Sequence, residues 1–301
     1  MKILLLGAAG QLGSDLLRLA VDEIAGCEIT PWTRAQLDVE RIESIRAVLA
    51  TWDFDVLINC TSYHKTDEVE QEAQRAFVVN AHAVQIMAES CREKGARFVH
   101  MSTDYVFDGS RRSPYGEDDA PAPLNVYGAS KLMGEALSRG AHEDTLIFRV
   151  ASLFGVAGSR GKGGNFVETM IRLGRERGAL RVINDQIMSP TSTADAAAAI
   201  LRAVGAGIQP GIYHAVNSGQ ASWYEFACRI IEYAGVAATV EPIPATEYPL
   251  PARRPAYSAL DNTKLAAAVG PIASWTDALE RYLDARGHLG AQKKSPAEAG
   301  R

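Results

Sequence analysis

The alternation of short apolar runs with longer amphipathic ones constrains the fold of this 301-residue chain more than any other feature. The apolar run Lys2–Gly7 is typical of a buried strand, and in Gln11–Ile24, which follows it, apolar residues recur at helical spacing. The alternation continues through predicted strands at Cys27–Trp32, Val56–Asn59, Arg97–Ser102 and Thr145–Arg149 and predicted helices at Ile42–Ala50, Ala73–Lys94 and Tyr127–Arg139. Short apolar strands separated by helices are typical of a parallel sheet that is buried on both faces. We therefore predict an α/β fold with a doubly wound parallel sheet of the Rossmann type, whose ligands bind at the carboxyl ends of the strands.

The pattern becomes less regular after residue 150. Further helices are predicted at Asn165–Arg177, Thr193–Ala206 and Trp223–Gly235, and further strands at Arg181–Ile183 and Gly211–Val216. The segment Pro242–Pro255 holds five prolines, which exclude a long helix or strand there. We predict a dinucleotide-binding domain over residues 1–150 and a smaller α/β substrate lobe over 151–287, interleaved with late elements of the first domain. Residues 288–301 lack apolar periodicity, and we expect a disordered tail there.

Charge and cysteine content narrow the function classes. The net charge of −5 gives no support for binding nucleic acid or an anionic membrane. The four cysteines form no CxxC pair, which indicates reduced thiols in a cytoplasmic protein. The first apolar run is too short for a signal peptide, and no apolar stretch approaches the ~20 residues of a membrane span. The six histidines show no familiar ligand spacing, so we predict no metal site.

The first chemical motif is a glycine pattern, Gly7-Ala8-Ala9-Gly10-Gln11-Leu12-Gly13, between the first strand and the first helix. Glycines at this place allow a tight turn and a close approach to a pyrophosphate at the helix N-terminus. The second predicted strand leads into Arg34 and lacks the carboxylate that NAD sites place there. Because a guanidinium can bind a 2′-phosphate, we predict that NADPH serves at least as well as NADH.

The second motif is Tyr127-Gly128-Ala129-Ser130-Lys131, which opens a predicted helix. Residues four apart share a helix face, so Lys131 is expected to lie near the Tyr127 phenol and to lower its pKa from the usual ~10. Thr103 follows a predicted strand, where its hydroxyl can bind a substrate carbonyl while Tyr127 protonates it. We predict Thr103, Tyr127 and Lys131 as the catalytic residues.

These three side chains resemble the catalytic triad of the extended short-chain dehydrogenases/reductases. Longer segments resemble one branch of them, the dTDP-4-dehydrorhamnose reductases, which use NAD(P)H to reduce the C4 keto group of a nucleotide-linked 6-deoxy-sugar. The matching segments are residues 102–109, 122–131, 164–170, 182–191 and 251–265. They are spread over nearly the whole chain, and the last three lie outside the predicted cofactor fold.

The resemblance implies a role for each matching position. The cofactor-binding residues would be Gly7, Gly10, Gln11 and Leu12 at the pyrophosphate, Asp38 and Val39 at the adenine, and Cys60, Thr61, Ser62, Tyr63, Tyr127 and Lys131 at the nicotinamide ribose. The substrate-binding residues would be Thr103 at the C4 carbonyl together with Asp104, Leu153, Asn165, Arg253 and Arg254. Prolines flank the arginine pair, and a pre-ordered arginine loses less entropy on binding. We therefore expect at least one of the two to contact the nucleotide diphosphate, contributing about 1.5–3 kcal/mol.

Two positions depart from the pattern of the resembling family, and a third does not decide whether magnesium is used. Leu153 stands where many relatives carry a tryptophan in the wall of the sugar pocket, and Cys60 lies in a run where relatives carry alanines. Some relatives use magnesium through glutamates, but the matching Asp15 does not differ from an ordinary helix carboxylate, so the sequence does not support magnesium.

Two alternative functions stay open at this point. Dehydratases carry glutamate at the position of Tyr105, which argues against dehydration. A nucleotide-sugar epimerase remains, as does a non-catalytic dinucleotide-binding protein resembling the regulatory subunit of methionine adenosyltransferase. The sequence leaves the exact sugar, the preference between NADPH and NADH, and a homodimeric state undecided.

Overall fold

The computed structural model describes residues 1–158 and 164–290. Its strands are β1 (Lys2–Leu6), β2 (Glu28–Trp32), β3 (Val56–Asn59), β4 (Arg97–Thr103), β5 (Thr145–Val150), β6 (Leu153–Phe154), β7 (Ala179–Ile183), β8 (Ile187–Met188), β9 (Thr191–Ser192), β10 (Gly211–His214), β11 (Ala221–Ser222) and β12 (Thr239–Ile243). Its α-helices are α1 (Gln11–Glu23), α2 (Ile42–Ala50), α3 (Thr66–Val69), α4 (Ala73–Phe77), α5 (Ala83–Lys94), α6 (Val126–Ala141), α7 (Phe166–Arg177), α8 (Thr193–Gly205), α9 (Trp223–Tyr233), α10 (Thr263–Val269) and α11 (Trp275–Ala285).

Six parallel strands form the central sheet, in the order β2-β1-β3-β4-β5-β10. Helices α1 and α8 pack on one face, and α2 and α5 pack on the other. Strand β1 shows why the strands read as continuous apolar runs: Ile3 and Leu5 enter one core, and Leu4 and Leu6 enter the other. The doubly wound α/β prediction is confirmed. The strand order reverses between β1 and β3, which is where such folds bind ligands.

The predicted helix at residues 73–94 is present but is not uniformly α-helical. A π-helical turn over Val78–His82 joins α4 to α5. Asn80 lies in this turn and is fully buried. Its side chain accepts hydrogen bonds from the Tyr63 backbone N–H at 2.9 Å and the Ser62 hydroxyl at 3.1 Å, and donates to the Ser130 hydroxyl at 3.0 Å. The π-helical turn therefore connects the end of β3 to α6.

Helix α6 lies unusually close to its neighbours because two of its three glycines face backbone of other segments. Asn125 caps the helix, its side-chain oxygen accepting from the Gly128 N–H at 2.8 Å. A Cβ at Gly128 would come within 2.1 Å of the Tyr105 carbonyl oxygen, and one at Gly134 within 2.2 Å of the Asn80 carbonyl oxygen. Only glycine permits this approach, which fixes the helix that carries Tyr127.

The second half of the chain builds its own core from α7, α9, α11 and the parallel pair β7–β12. Strand β10 and helix α8 return to the central sheet. Helices α3, α10 and α11, strand β12 and the two-residue strands were not predicted from the sequence. The predicted tail is described only as far as Gly290. None of the helices within 1–158 and 164–290 is long and apolar enough to cross a membrane.

Candidate active site

A cleft of about 1130 Å³ opens at the carboxyl ends of the central strands. It is lined by the predicted residues Gly7, Gly10, Gln11, Leu12, Arg34, Asp38, Val39, Cys60, Thr61, Ser62, Tyr63, Thr103, Asp104, Tyr127, Lys131, Leu153 and Asn165. The fold thus brings these predicted side chains to one place, although most are far apart in sequence. Arg253 and Arg254 are not among its lining residues.

The glycine pattern forms a tight turn at one end of the cleft. Gly7 has a φ of +78°, and a Cβ there would lie 2.9 Å from the Cys60 carbonyl carbon. A Cβ at Gly13 would lie 2.3 Å from the Gly7 carbonyl oxygen. Gln11 donates through Nε2 to the Leu153 carbonyl at 3.1 Å, while its buried Oε1 has no hydrogen-bond partner among the described residues. This bare backbone at the start of α1, whose N–H groups can donate to an anion, fits a pyrophosphate.

Arg34 lies at the rim of the cleft with 65% of its side chain exposed. Its guanidinium is 3.1 Å from both the Asp38 and the Glu40 carboxylates. Val39, between these two acids, is buried. The rim therefore holds an accessible guanidinium that is paired with two carboxylates.

Tyr127 lines the cleft together with Thr103 and Ser62, whose hydroxyls favour the ionised form of its phenol. Burial raises the pKa of Tyr127 to about 12, although both hydroxyls act in the opposite direction. The expectation that Lys131 lowers this pKa was wrong for the protein without cofactor, because burial outweighs the other influences. Tyr127 is therefore a protonated phenol at neutral pH, the form that a proton donor needs.

Thr103 is the last residue of β4, and its hydroxyl makes two hydrogen bonds. Oγ1 donates to Asp104 Oδ1 at 3.0 Å and accepts from the Tyr105 backbone N–H at 3.2 Å. Asp104 also accepts from the Ser258 hydroxyl at 2.6 Å. Burial raises the pKa of Asp104 to about 6. Asp104 thus orients Thr103 in addition to lining the cleft.

Lys131 is almost fully buried beneath the floor, with only 1% of its surface exposed. Its Nζ lies 3.0 Å from His100 Nε2, and His100 Nδ1 lies 3.2 Å from the Asn59 side-chain nitrogen. Burial lowers the pKa of Lys131 to about 7. The sequence analysis missed the polar pair Asn59 and His100; the signal was a histidine between the apolar residues Val99 and Met101 of β4.

A buried ion pair lies farther along α6. Both side-chain carboxylate oxygens of Glu135 accept from Arg149 on β5, at 2.9 and 2.7 Å, and the side chains are only 3% and 2% exposed. Ser102, next to Thr103, donates to the same carboxylate at 2.5 Å. This cluster, also missed from the sequence, ties α6 to the strand that ends at Thr103.

The substrate end of the cleft differs in detail from expectation. Asn165 lines it but uses both ends of its amide within the protein: Oδ1 caps α7 at the Glu168 N–H (3.0 Å), and Nδ2 donates to the Gly155 carbonyl at 3.1 Å. Phe166 and Trp223, whose ring centroids are 4.7 Å apart, line the cleft nearby. They form an aromatic wall in the cleft, which Leu153 also lines.

Arg253 and Arg254 lie outside the lining of the cleft. Arg254 makes a two-pronged ion pair with Asp67, at 3.0 and 2.7 Å, and 16% of its side chain is exposed. Arg253 is exposed, and its carbonyl accepts from the Asn125 side chain at 2.8 Å. The pair therefore holds its loop against α3 and α6 in the protein without substrate.

The carboxylate that matched the magnesium position is used internally. Asp15 is buried and accepts from the Thr193 hydroxyl at 2.5 Å and from Arg18 at 2.8 Å. In the part of the chain that the structure describes, no three His, Cys, Asp or Glu residues lie close enough together to hold a metal ion.

Comparison with known proteins shows the family. Residues 1–287 match the family described as the RmlD substrate binding domain. The chain belongs to this family. A dTDP-4-dehydrorhamnose reductase of Burkholderia thailandensis is 40% identical over 88% of this chain and 92% of its own length. The spore coat polysaccharide biosynthesis protein SpsK of Bacillus subtilis is 38% identical, over 95% and 98% of the two chains.

A solved structure extends the similarity to the fold. The dTDP-4-dehydrorhamnose reductase of Bacillus anthracis, solved in complex with NADP, superimposes with a TM-score of 0.88 at 36% identity. The match covers 94% of this chain and 99% of that one. The family resemblance predicted from the motifs is thereby confirmed.

Proposed function

We propose that this protein is an NAD(P)H-dependent dTDP-4-dehydrorhamnose reductase, which converts dTDP-4-dehydro-L-rhamnose to dTDP-L-rhamnose. The observation that carries the proposal is that Thr103, Tyr127 and Lys131 line a single cleft that begins at the glycine turn. The reductase relatives at 36–40% identity support the choice of substrate, and the NADP complex of one of them supports the cofactor.

The chain's own residues supply the acid for this reaction. NADPH, when bound, supplies the hydride that adds to C4 of the sugar. Thr103 and Tyr127 would bind the C4 oxygen, and Tyr127 would transfer its phenolic proton to that oxygen, leaving a phenolate that is reprotonated from solvent. Lys131 would bind the nicotinamide ribose hydroxyls. Its ammonium form would lower the pKa of the neighbouring phenol and so strengthen the acid.

The remaining site residues belong to the same proposal. Gly7, Gly10, Gln11 and Leu12 would bind the pyrophosphate, Arg34 the 2′-phosphate, Asp38 and Val39 the adenine, and Cys60, Thr61, Ser62 and Tyr63 the nicotinamide ribose. Asp104, Leu153, Asn165, Arg253 and Arg254 would bind the substrate. Arg253 is the freer of the two arginines, because Arg254 is paired with Asp67. Phe166 and Trp223 would supply the aromatic wall on the sugar side.

The decisive experiment is the substitution Tyr127→Phe. Because general acid catalysis contributes about 10²–10⁴-fold, kcat with dTDP-4-dehydro-L-rhamnose should fall by that factor while the Kd for NADPH changes only a few-fold. Tyr213→Phe is a matched control, since its hydroxyl bonds the Gln209 carbonyl outside the cleft. Near-normal turnover in Tyr127→Phe would exclude the assignment. NADPH binding by the wild type without its oxidation would favour a regulatory protein, and sugar interconversion without net oxidation would favour an epimerase.

Three coarser properties complete the proposal. The separate core of the second half supports a dinucleotide-binding domain over residues 1–150 and a substrate lobe over 151–287, interleaved with late elements of the first domain. A cytoplasmic location agrees with four free cysteines. A homodimer in solution is part of the same proposal, and light scattering coupled to gel filtration would measure it.

A further inference from the structure

A chain of buried hydrogen bonds runs from the cleft floor to the amine of Lys131. The Thr61 backbone N–H and hydroxyl donate to Asn59 Oδ1 at 2.9 and 2.6 Å. The Asn59 side-chain nitrogen lies 3.2 Å from His100 Nδ1, and His100 Nε2 lies 3.0 Å from Lys131 Nζ. Asn59 and His100 are fully buried, so neither has access to water as an alternative partner.

The direction of every hydrogen bond in this series follows from the Thr61 backbone N–H, with which the series begins. A backbone N–H can only donate, so the Asn59 atom that faces Thr61 is the oxygen, and the amide nitrogen faces His100. That nitrogen also only donates, so His100 Nδ1 carries a lone pair. Burial holds the pKa of His100 well below its usual range, so the ring is neutral and its proton is on Nε2. The Nε2–H then donates to Lys131 Nζ, which must offer a lone pair.

The charged form of Lys131 does not fit this arrangement. An ammonium would point its own N–H groups at the Nε2 proton. Reversing the direction of these hydrogen bonds would require the Asn59 amide group to turn. The Thr61 backbone N–H would then face another donor, which costs about 1–3 kcal/mol.

The charged groups around Lys131 do not change the conclusion that Lys131 is uncharged. The titratable groups that face it are Glu135 on its own helix, Cys60 after β3 and His100 on β4. Only Glu135 brings a charge, and that carboxylate is bidentately bonded to Arg149 of β5.

We propose that Asn59 and His100 are positioning residues that keep Lys131 an uncharged amine in the free protein, so that Lys131 takes up one proton from solvent when the cofactor binds. This inference rests on the proposed function, because the anionic diphosphate and the ribose hydroxyls of the cofactor favour the ammonium. The ammonium would move away from Nε2 toward those hydroxyls. The positive charge that strengthens the acid Tyr127 is then present only in the complex.

Proton uptake on NADPH binding tests the inference directly. Titration calorimetry at pH 8 in two buffers of different ionisation enthalpy gives the number of protons taken up per cofactor bound. We expect the wild type to take up close to one, and its Kd for NADPH to rise by up to about tenfold per pH unit above pH 7. NADH, which lacks the 2′-phosphate, should give the same count and so assigns the proton to the protein.

Two variants remove the effect by different routes. In His100→Gln, the oxygen of the new amide can accept a hydrogen bond from the ammonium form of Lys131. In Asn59→Asp, the new carboxylate accepts from His100 Nδ1–H, which reverses the direction of the hydrogen bonds that lead to Lys131. Both should take up less than about a third of a proton at pH 8, with the rise of Kd displaced to higher pH. His142→Gln is the matched control: it changes another buried histidine, which bonds the Ala96 carbonyl beyond the end of α6, and should keep the wild-type count.

The outcomes separate the two proposals. NADPH binding by the wild type without proton uptake, or wild-type uptake in both His100→Gln and Asn59→Asp, would overturn the inference and leave the reductase assignment intact. Failure of the wild type to bind NADPH at all would overturn both.

Discussion

Replacing Gly134 by alanine should destabilise the protein and displace its active-site helix. The new Cβ would lie 2.2 Å from the Asn80 carbonyl oxygen. Ordinary carbon–oxygen contacts begin near ~3.3 Å, so α6 would have to move by about 1 Å. Because the obstacle is backbone in the π-helical turn, no side-chain rotation relieves it.

The expected cost follows from overpacking of a close-packed interior. Overpacked sites lose about 1–3 kcal/mol of the free energy of unfolding, and the better helix propensity of alanine returns only about 0.5–1 kcal/mol. Gly140→Ala is a control on the same helix, because a Cβ at Gly140 meets nothing within 4 Å. That variant should gain about 0.5 kcal/mol, which leaves the two variants roughly 1–3 kcal/mol apart.

Urea unfolding and turnover measure the two consequences. Gly134→Ala should unfold at lower urea concentration than wild type and lose at least tenfold in kcat, since a displacement of ~1 Å is enough to misplace a catalytic group. Gly140→Ala should keep wild-type kcat. If both alanine variants are equally stable and active, the contact with Asn80 does not position α6, and the reasoning is refuted.

Other predictions concern the rim, the arginine loop and the buried ion pair. Arg34→Ala should weaken NADPH binding at least tenfold more than NADH binding in fluorescence titrations, because only NADPH offers a 2′-phosphate; an equal effect on both would remove that role. Arg253→Ala should raise the KM for the nucleotide sugar at least tenfold and leave the KM for NADPH unchanged, whereas a rise in the latter would place the arginine on the wrong ligand. Glu135→Leu leaves the buried guanidinium of Arg149 unpaired and should cost about 3–5 kcal/mol in urea unfolding, most of which the double variant with Arg149→Met should recover. A loss of less than about 1 kcal/mol in the free energy of unfolding of Glu135→Leu alone would contradict the explanation by an unpaired buried charge.

Local pattern was enough to predict the sheet and most of the side chains that line the cleft. Continuous apolar strands report burial on two faces, and the four-residue spacing of Tyr127 and Lys131 places both on one side of α6. Helix α11 could also have been predicted, because its amphipathic pattern follows the capping residue Ser274, whose hydroxyl accepts from the Asp277 N–H at 3.2 Å.

Long-range partners could not be predicted in this way. Asp67, which pairs with Arg254, is 187 positions away in sequence, and Asn59 is 41 positions from His100. Nothing local to an arginine or a histidine reveals such a partner. The direction of the Tyr127 pKa shift failed for a related reason, because the cost of burial depends on everything packed around the phenol.

The π-helical turn at Val78–His82 has a consequence for the history of the fold. Each α-helical residue advances the helix by about 100°, so the additional residue of a π turn puts α4 and α5 out of phase. Deleting one residue would restore a uniform helix, but it would rotate one of the two segments away from its present neighbours. An ancestor that acquired this insertion could not easily lose it, because α5 fills the core beneath the sheet while Asn80 anchors Ser62 and Tyr63. The irregular turn is thus expected to be retained wherever these contacts are retained, even as the sequence around it diverges.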